Sequence, residues 1–73
     1  MNETAMIECV VKDGKKEAYL KWFEQEKTAL QPESCISQDG LPAITVGFKN
    51  RNTRQLTVGK FVRAFPDAEV DWR

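Results

Sequence analysis

Histidine is absent from the sequence, so the side chain that most often acts as a general acid or base near neutral pH is missing. The same absence excludes Ser-His and Cys-His nucleophile pairs, and with them the hydrolytic triads. Two cysteines supply only half the ligands of a structural zinc site, and Cys9 and Cys35 lie too far apart for the close spacing that such sites favour. We therefore expect a protein that is not an enzyme and that uses no metal or other cofactor.

Nucleotide-binding and membrane motifs are also missing. The run TVGKF contains a Gly-Lys pair but no earlier glycine at the P-loop spacing, and neither Gly47 nor Gly59 belongs to a dinucleotide fingerprint. No apolar run approaches the ~20 residues that cross a bilayer, and residues 1–11 lack the basic flank and long apolar stretch of a signal peptide. These absences predict a cytoplasmic protein with neither a membrane partner nor a small-molecule substrate.

The two cysteines are few for a domain that depends on disulfides, because small secreted domains usually carry more. Cys9 lies in an apolar run, where a buried thiol packs as a small hydrophobe. Cys35 lies near Glu33 and Asp39, whose carboxylates disfavour a reactive thiolate. We expect two free and unreactive thiols.

The chain has the length and composition of one small folded domain. A chain of 73 residues buries only ~60% of the surface of its unfolded form, so residues 1–73 leave room for a single core. Apolar residues make up 41% of the sequence and charged residues 30%, which is typical of a globular protein and too apolar for intrinsic disorder. A single compact domain is predicted.

The first half of the chain predicts a strand, a helix and a loop. Residues 6–11, MIECVV, are mostly apolar or β-branched and stop at the turn signature KDG, which indicates a strand. From Lys15 onward apolar residues recur at helical spacing, and Asp13 and Pro32 are expected to cap and end this helix. Residues 31–42 mix Pro, Ser, Asp and Gly and predict a loop.

The middle of the chain allows two interpretations. Residues 43–49, AITVGFK, alternate in polarity and predict a second strand, and the polar run NRNTR after it predicts a turn. The next segment either completes a hairpin over residues 43–62 or forms a short helix capped by Thr57. We favour the helix, because adjacent Phe61 and Val62 break strict alternation whereas helical spacing turns both inward.

The end of the chain predicts a third strand, because Ala68, Val70 and Trp72 alternate with acidic residues after Pro66. The predicted fold is therefore a small α+β domain of order β-α-β-α-β, with one long and one short helix on one face of a three-stranded sheet. The alternative order is β-α-β-β-β with the hairpin at 43–62.

Three carboxylates, Asp67, Glu69 and Asp71, occupy the other face of this predicted strand. A row of carboxylates could offer the oxygen ligands that divalent cations prefer. The same spacing arises when an exposed strand keeps its apolar residues inward and its acids in water, and acids on a sheet edge also discourage pairing with other chains. We favour this second interpretation and expect no metal site.

Cationic side chains concentrate in one part of a chain whose net charge is zero. No acidic residue occurs from Gly40 to Pro66, although five cations fall there. Long cationic side chains on a turn and on the outer face of a helix can meet an acidic protein patch or neutralise phosphates. The candidate binding residues are Lys49, Arg51, Asn52, Arg54, Lys60 and Arg63.

These features predict a small interaction or regulatory protein that docks on a protein partner or self-associates. The alternative is a nucleic-acid-binding module that uses the basic turn and helix at residues 49–63. Two observations weigh against it: Phe48, Phe61 and Phe65 are needed in the core and so cannot stack on bases, and the whole chain is not basic.

Overall fold

The computed structural model describes residues 5–26 and 31–73. They form β1 (Ala5–Val11), α1 (Lys16–Gln25), β2 (Glu33–Ile36), β3 (Pro42–Phe48), α2 (Arg51–Ala64) and β4 (Val70–Trp72). The strands make one antiparallel sheet in the order β2-β3-β1-β4, and both helices pack on the same face of it. The β-α-β-β-α-β order is a split β-α-β arrangement. The predicted α+β class is confirmed, but the sheet has four strands rather than three.

The additional strand is β2, at positions that the sequence pattern assigned to a loop. β2 pairs antiparallel with β3, from Glu33 opposite Thr45 to Ile36 opposite Pro42. Because β2 is an edge strand, most of its side chains are exposed and no alternation of apolar residues is needed. The loop prediction for residues 31–42 is therefore wrong at residues 33–36.

The second helix is longer than predicted and begins earlier. The Asn50 side chain accepts a hydrogen bond from the backbone N–H of Thr53 at 2.8 Å, which makes Asn50 the N-cap. The run NRNTR is thus the start of α2 and not a turn, and the hairpin alternative over 43–62 is wrong. Thr57, the predicted cap, lies inside the helix, where its hydroxyl donates to the carbonyl oxygen of Thr53.

The ends of α1 and β4 also differ from prediction. Asp13 does not cap α1, whose N-cap position is Lys15, because its carboxylate instead accepts the backbone N–H of Lys15 itself. Residues 27–30, which the pattern also made helical, lie outside the described residues. β4 spans only three residues. Among the described residues, neither helix is long and apolar enough to cross a membrane.

An aromatic core fills the space between the sheet and the helices. Phe61 of α2 lies at its centre, with its ring stacked on Phe23 at 5.4 Å and edge-on to Tyr19 and Trp72 at 5.1 and 5.2 Å. Such offset and edge-on pairs are the favoured geometries of aromatic rings. Ala68, Val70 and Trp72 pack against this core, as their alternation predicted. Phe61 therefore fixes the rotation of α2 and so determines which of its side chains face solvent.

Candidate docking surface on α2

The outer face of α2 follows from the two residues that the helix buries, Thr57 and Phe61. An α-helix has ~3.6 residues per turn, so residues that follow one another at intervals of three, four or seven line one side of it. One such set lies opposite Thr57 and Phe61. We define the outer face of α2 by these exposed residues: Asn52, Gln55, Leu56, Gly59, Val62 and Arg63.

The predicted binding residues are distributed over α2 rather than gathered on one line. Asn52 and Arg63 lie on the outer face, and Arg51 and Lys60 are exposed at its two borders. Lys60 is also 3.7 Å from Glu26, so part of its charge is compensated. The other two predicted binding residues, Lys49 and Arg54, do not lie on the outer face.

Lys49 and Arg54 mark the limits of this surface. Lys49 is exposed just before the helix begins. Arg54 is half-buried, because it lies three and seven residues before the buried Thr57 and Phe61 on the inward side. The structure therefore places Asn52 and Arg63 on the outer face of α2 and Arg51 and Lys60 at opposite borders of it, and it turns Arg54 inward.

Two aliphatic side chains on the outer face were missed by sequence reasoning. Leu56 is 68% exposed and Val62 is 53% exposed, although Val62 was predicted to point inward. Helical spacing puts Val62 beside Arg63 and away from the buried Thr57 and Phe61. Their position depends on the rotation of α2, which the packing of Phe61 in the folded core determines.

The charges at the start of α2 do not stabilise the helix. α2 contains four cations and no acidic residue, and its first turn carries no acid. Cations near a helix N-terminus oppose the positive end of the helix dipole, so Lys49 and Arg51 are placed unfavourably, whereas Arg63 in the last turn is placed well. The cations of α2 are therefore not arranged to stabilise its first turn.

Aromatic rings are not part of this surface. All seven aromatic side chains of the chain are buried in the core or packed against it. Stacking on exposed rings is a main source of affinity for single-stranded nucleic acids. The outer face of α2 offers cations, amides and aliphatic groups instead.

The three carboxylates that were predicted to share one face of a strand, Asp67, Glu69 and Asp71, do not form a row there. Asp67 lies in a turn and Glu69 precedes β4, so only Asp71 is within the strand. The Asp71 carboxylate is 4.0 Å from the Lys12 ammonium and 3.6 Å from the Arg73 guanidinium. Among the described residues, no three His, Cys, Asp or Glu side chains converge on a position for a metal ion.

The sheet face that points away from the helices also carries a depression. A shallow depression of about 360 Å³ there is lined by Met6, Ile7, Glu8, Thr45 and Arg73. Cys35 lies beside it, with its sulfur 3.4 Å from the Thr45 hydroxyl and 4.0 Å from the Glu8 carboxylate. Arg73 is held by Asp39, so the cation of this depression is already paired.

Cys9 faces the helices and is fully buried, and this burial, followed by the charge of Asp13, raises the pKa of its thiol to about 12. Both cysteines are free thiols. A thiol with so high a pKa is neutral at physiological pH, which disfavours its reaction as a nucleophile.

No family model, curated protein or solved structure matches this chain significantly. The fold and the surface together define a small α+β domain with a split β-α-β sheet whose second helix presents cations and aliphatic side chains to solvent.

Proposed function

We propose that the protein is a small non-enzymatic docking protein that binds another protein through the outer face of α2. The observation that carries this proposal is the combination of exposed Leu56 and Val62 with Arg63 on a helix that has no carboxylate. Protein interfaces combine an apolar centre with a charged rim and are enriched in arginine. A partner with acidic groups around an apolar centre complements this surface.

A protein partner explains the surface better than a nucleic acid does. Phosphate binding needs cations and hydrogen-bond donors, and it gains nothing from Leu56 and Val62. Cations at the border of the interface would steer the encounter with an acidic partner and raise the association rate at low salt. The partner's apolar groups would supply affinity by covering the two aliphatic side chains.

Nucleic-acid binding remains the second candidate, because Lys49, Arg51 and Asn52 come together at the start of α2. Such a group would contact the backbone of a duplex with little sequence preference. This alternative predicts binding that weakens steeply with salt, and substitution of Leu56 would have little effect on it.

The experiment is a pull-down from nuclease-treated cell extract with the immobilised wild-type protein and three immobilised variants. Arg63→Glu reverses a charge on the outer face, Leu56→Ser removes an aliphatic contact, and Lys21→Glu reverses a charge on the exposed side of α1 as a matched control. We expect wild type and Lys21→Glu to retain the same protein, and Arg63→Glu and Leu56→Ser to lose it.

Equal retention of that protein by all four forms would overturn docking through α2. Retention that disappears on nuclease treatment, or binding of short duplex DNA or RNA that Arg63→Glu weakens and Leu56→Ser leaves unchanged, would replace the proposal with its nucleic-acid alternative. Circular dichroism of each variant establishes that the fold is intact.

A further inference from the structure

Within the described chain, one side of β2 has no neighbouring strand. The backbone N–H of Ser37 donates to the Leu41 carbonyl at 3.0 Å, so Ser37 belongs to the residues that bond across to β3. In an antiparallel ladder such residues alternate with residues whose N–H and C=O groups point outward. The backbone groups of Cys35 therefore point to β3, and those of Ser34 and Ile36 point away from the sheet.

This edge also lacks the features that usually block pairing with another chain. Exposed edges are commonly protected by lysine, proline or a bulge. None of these occurs within β2, whose register with β3 is continuous from Glu33 to Ile36. Ile36 is 78% exposed, although it lies on the side of the sheet that carries the helices. β2 thus offers outward backbone groups together with an uncovered aliphatic side chain.

We propose that two copies of the chain pair antiparallel through β2, with Cys35 of one copy opposite Cys35 of the other. The two sheets then form one continuous sheet about a two-fold axis, with the helices of both copies on the same face. This inference is independent of the proposed function, because β2 and the outer face of α2 share no residue.

The register follows from the positions of the outward groups. Pairing about Cys35 places Ser34 of each copy opposite Ile36 of the other, so every outward N–H meets an outward carbonyl. A two-fold axis at Ser34 would instead place Ile36 opposite Pro32, which has no N–H. An axis at Ile36 would place Ser34 opposite Gln38, which lies in the turn before β3. The register centred on Cys35 therefore satisfies both residues of each copy.

A second copy fits this edge better than an unrelated strand does. The two Ile36 side chains lie diagonally across the new pair on one face, so each covers part of the other. Glu33 faces Ser37 of the other copy, so like charges are not opposed. Two short strands bury little area, so the pairing is reversible and forms at high protein concentration.

The first test is sedimentation of the protein from about 10 µM to about 1 mM. We expect the wild type to pass from monomer to dimer over this range. Ile36→Lys places charge at the contact without disturbing the core, and we expect it to weaken the dimer at least about tenfold. Met6→Lys, which adds the same charge at an exposed apolar position of β1, is the matched control and should dimerise like the wild type.

Backbone amide hydrogen exchange locates the contact. The outward N–H groups of Ser34 and Ile36 should exchange rapidly in dilute protein and more slowly at high concentration. The N–H of Cys35, which points to β3, should change little. In Ile36→Lys, exchange at both outward positions should not depend on concentration.

Oxidation by glutathione disulfide reports the register. Facing residues of a pair without backbone hydrogen bonds are about 4.5 Å apart between Cα atoms, which is within the range of a disulfide. Two Cys35 thiols are oxidised to one bridge while one glutathione disulfide is reduced to two thiols. We expect a covalent dimer from the wild type and Met6→Lys, at least about tenfold slower formation from Ile36→Lys, and none from Cys35→Ser.

A wild type that stays monomeric at about 1 mM would overturn the proposal. Equal dimerisation of Ile36→Lys, with circular dichroism showing an intact fold, would overturn it too, as would a dimer that leaves the exchange of Ser34 and Ile36 unchanged. A dimer that oxidation does not bridge at Cys35 would contradict the register. Docking through α2 is decided separately, by the variants Arg63→Glu and Leu56→Ser.

Discussion

Asp13 joins parts of the chain that are distant in sequence. Its carboxylate accepts hydrogen bonds from the Tyr19 hydroxyl at 2.5 Å and from the backbone N–H groups of Lys15 and Glu69, both at 3.0 Å. Tyr19 belongs to α1, and Glu69 immediately precedes β4. One side chain thus fixes the start of the first helix and the last strand against the turn after β1.

These hydrogen bonds favour the ionised carboxylate and lower the pKa of Asp13 from its ordinary value of 3.8, and the Tyr19 hydroxyl has the largest effect. The contribution of Asp13 to stability is therefore present above pH 3.8 and is lost as pH falls through its lower folded pKa. Burial, followed by the bond to Asp13, raises the pKa of Tyr19 to about 12, so the phenol remains a donor at neutral pH.

The first prediction concerns Asp13→Asn. The asparagine amide has only one acceptor oxygen, so its NH₂ group would face at least one of the three donors that the Asp13 carboxylate accepts. That donor would lose its hydrogen bond, and we expect a lower Tm at pH 7. Below pH 3.8 the wild-type carboxylate loses its own advantage, and the difference in Tm between the two proteins should narrow. Thermal unfolding from pH 2.5 to pH 7 measures this difference. Asp67→Asn, at an exposed position in a turn, is the control.

The second prediction compares two aromatic residues of the core. Phe61 is fully buried and contacts five other rings, whereas Trp22 is only half-buried. We expect Phe61→Ala to lower the free energy of unfolding by about 3–5 kcal/mol, and Trp22→Ala to lower it by less. Urea denaturation followed by circular dichroism gives both values. An equal or larger loss for Trp22→Ala would place the centre of the core on α1 instead.

The stability of α2 depends on a cap that precedes its cations. The Asn50 side chain accepts the N–H of Thr53, one of the donors that the first turn of a helix leaves without a partner. Without this bond, the polar and cationic first turn would have little to hold it in a helical conformation, since it buries no apolar side chain.

The third prediction is therefore that Asn50→Ala lowers the free energy of unfolding by about 1 kcal/mol. Asn52→Ala, two residues later on the exposed side of the same turn, should be within about 0.5 kcal/mol of the wild type, because alanine is the better helix former there. Urea denaturation of both variants distinguishes the loss of the N-cap hydrogen bond from the loss of an asparagine side chain elsewhere in the same turn. Equal losses for the two variants would contradict the assignment of Asn50 as the cap.

At the scale of elements, local patterns predicted the segments that bury a face. Residues 6–11 and 43–49 alternate or are continuously apolar because β1 and β3 are the central strands. β2 escaped prediction because its strand geometry comes from pairing with β3, which only the folded chain brings close. The start of α2 was missed because a turn and a polar first helical turn use the same residue types.

Only part of the candidate docking surface on α2 could be predicted from the sequence. The absence of acidic residues from Gly40 to Pro66 identified the cations without any knowledge of structure. Their arrangement depends on the rotation of α2, which Phe61 fixes through contacts with α1 and β4. Leu56, Val62 and Gly59 could be assigned to the surface only after that rotation was known.

The two faces of the sheet have different roles in the whole molecule. The helices cover one face, yet Val10 and Ala43 on the other face are also fully buried. Asp39, in the loop between β2 and β3, forms an ion pair with Arg73 after β4. Because β3 and β1 lie between β2 and β4, this pair requires the loop and the Arg73 side chain to reach across the sheet. The second face is therefore partly closed by the chain itself.

The fourth prediction uses the cysteines to report on the whole fold. Cys9 is in register with Ile44 and Trp72 and faces the helices, whereas Cys35 is in register with Ala43 and faces the opposite side. Adjacent positions on a strand point to opposite faces, so the sheet separates the two sulfur atoms and oxidation should give no intramolecular disulfide. We expect a small maleimide to label Cys35 in the native protein.

Cys9, which is fully buried, should be labelled only when the core opens. Its labelling rate should rise with urea in parallel with the loss of circular dichroism, because global unfolding is the event that exposes it. Mass spectrometry after short exposures separates the two sites, and Cys35→Ser isolates the reaction of Cys9. Labelling of Cys9 in native buffer as fast as in urea would mean that the packing of β1 against the helices opens without global unfolding, and that the core does not move as one unit.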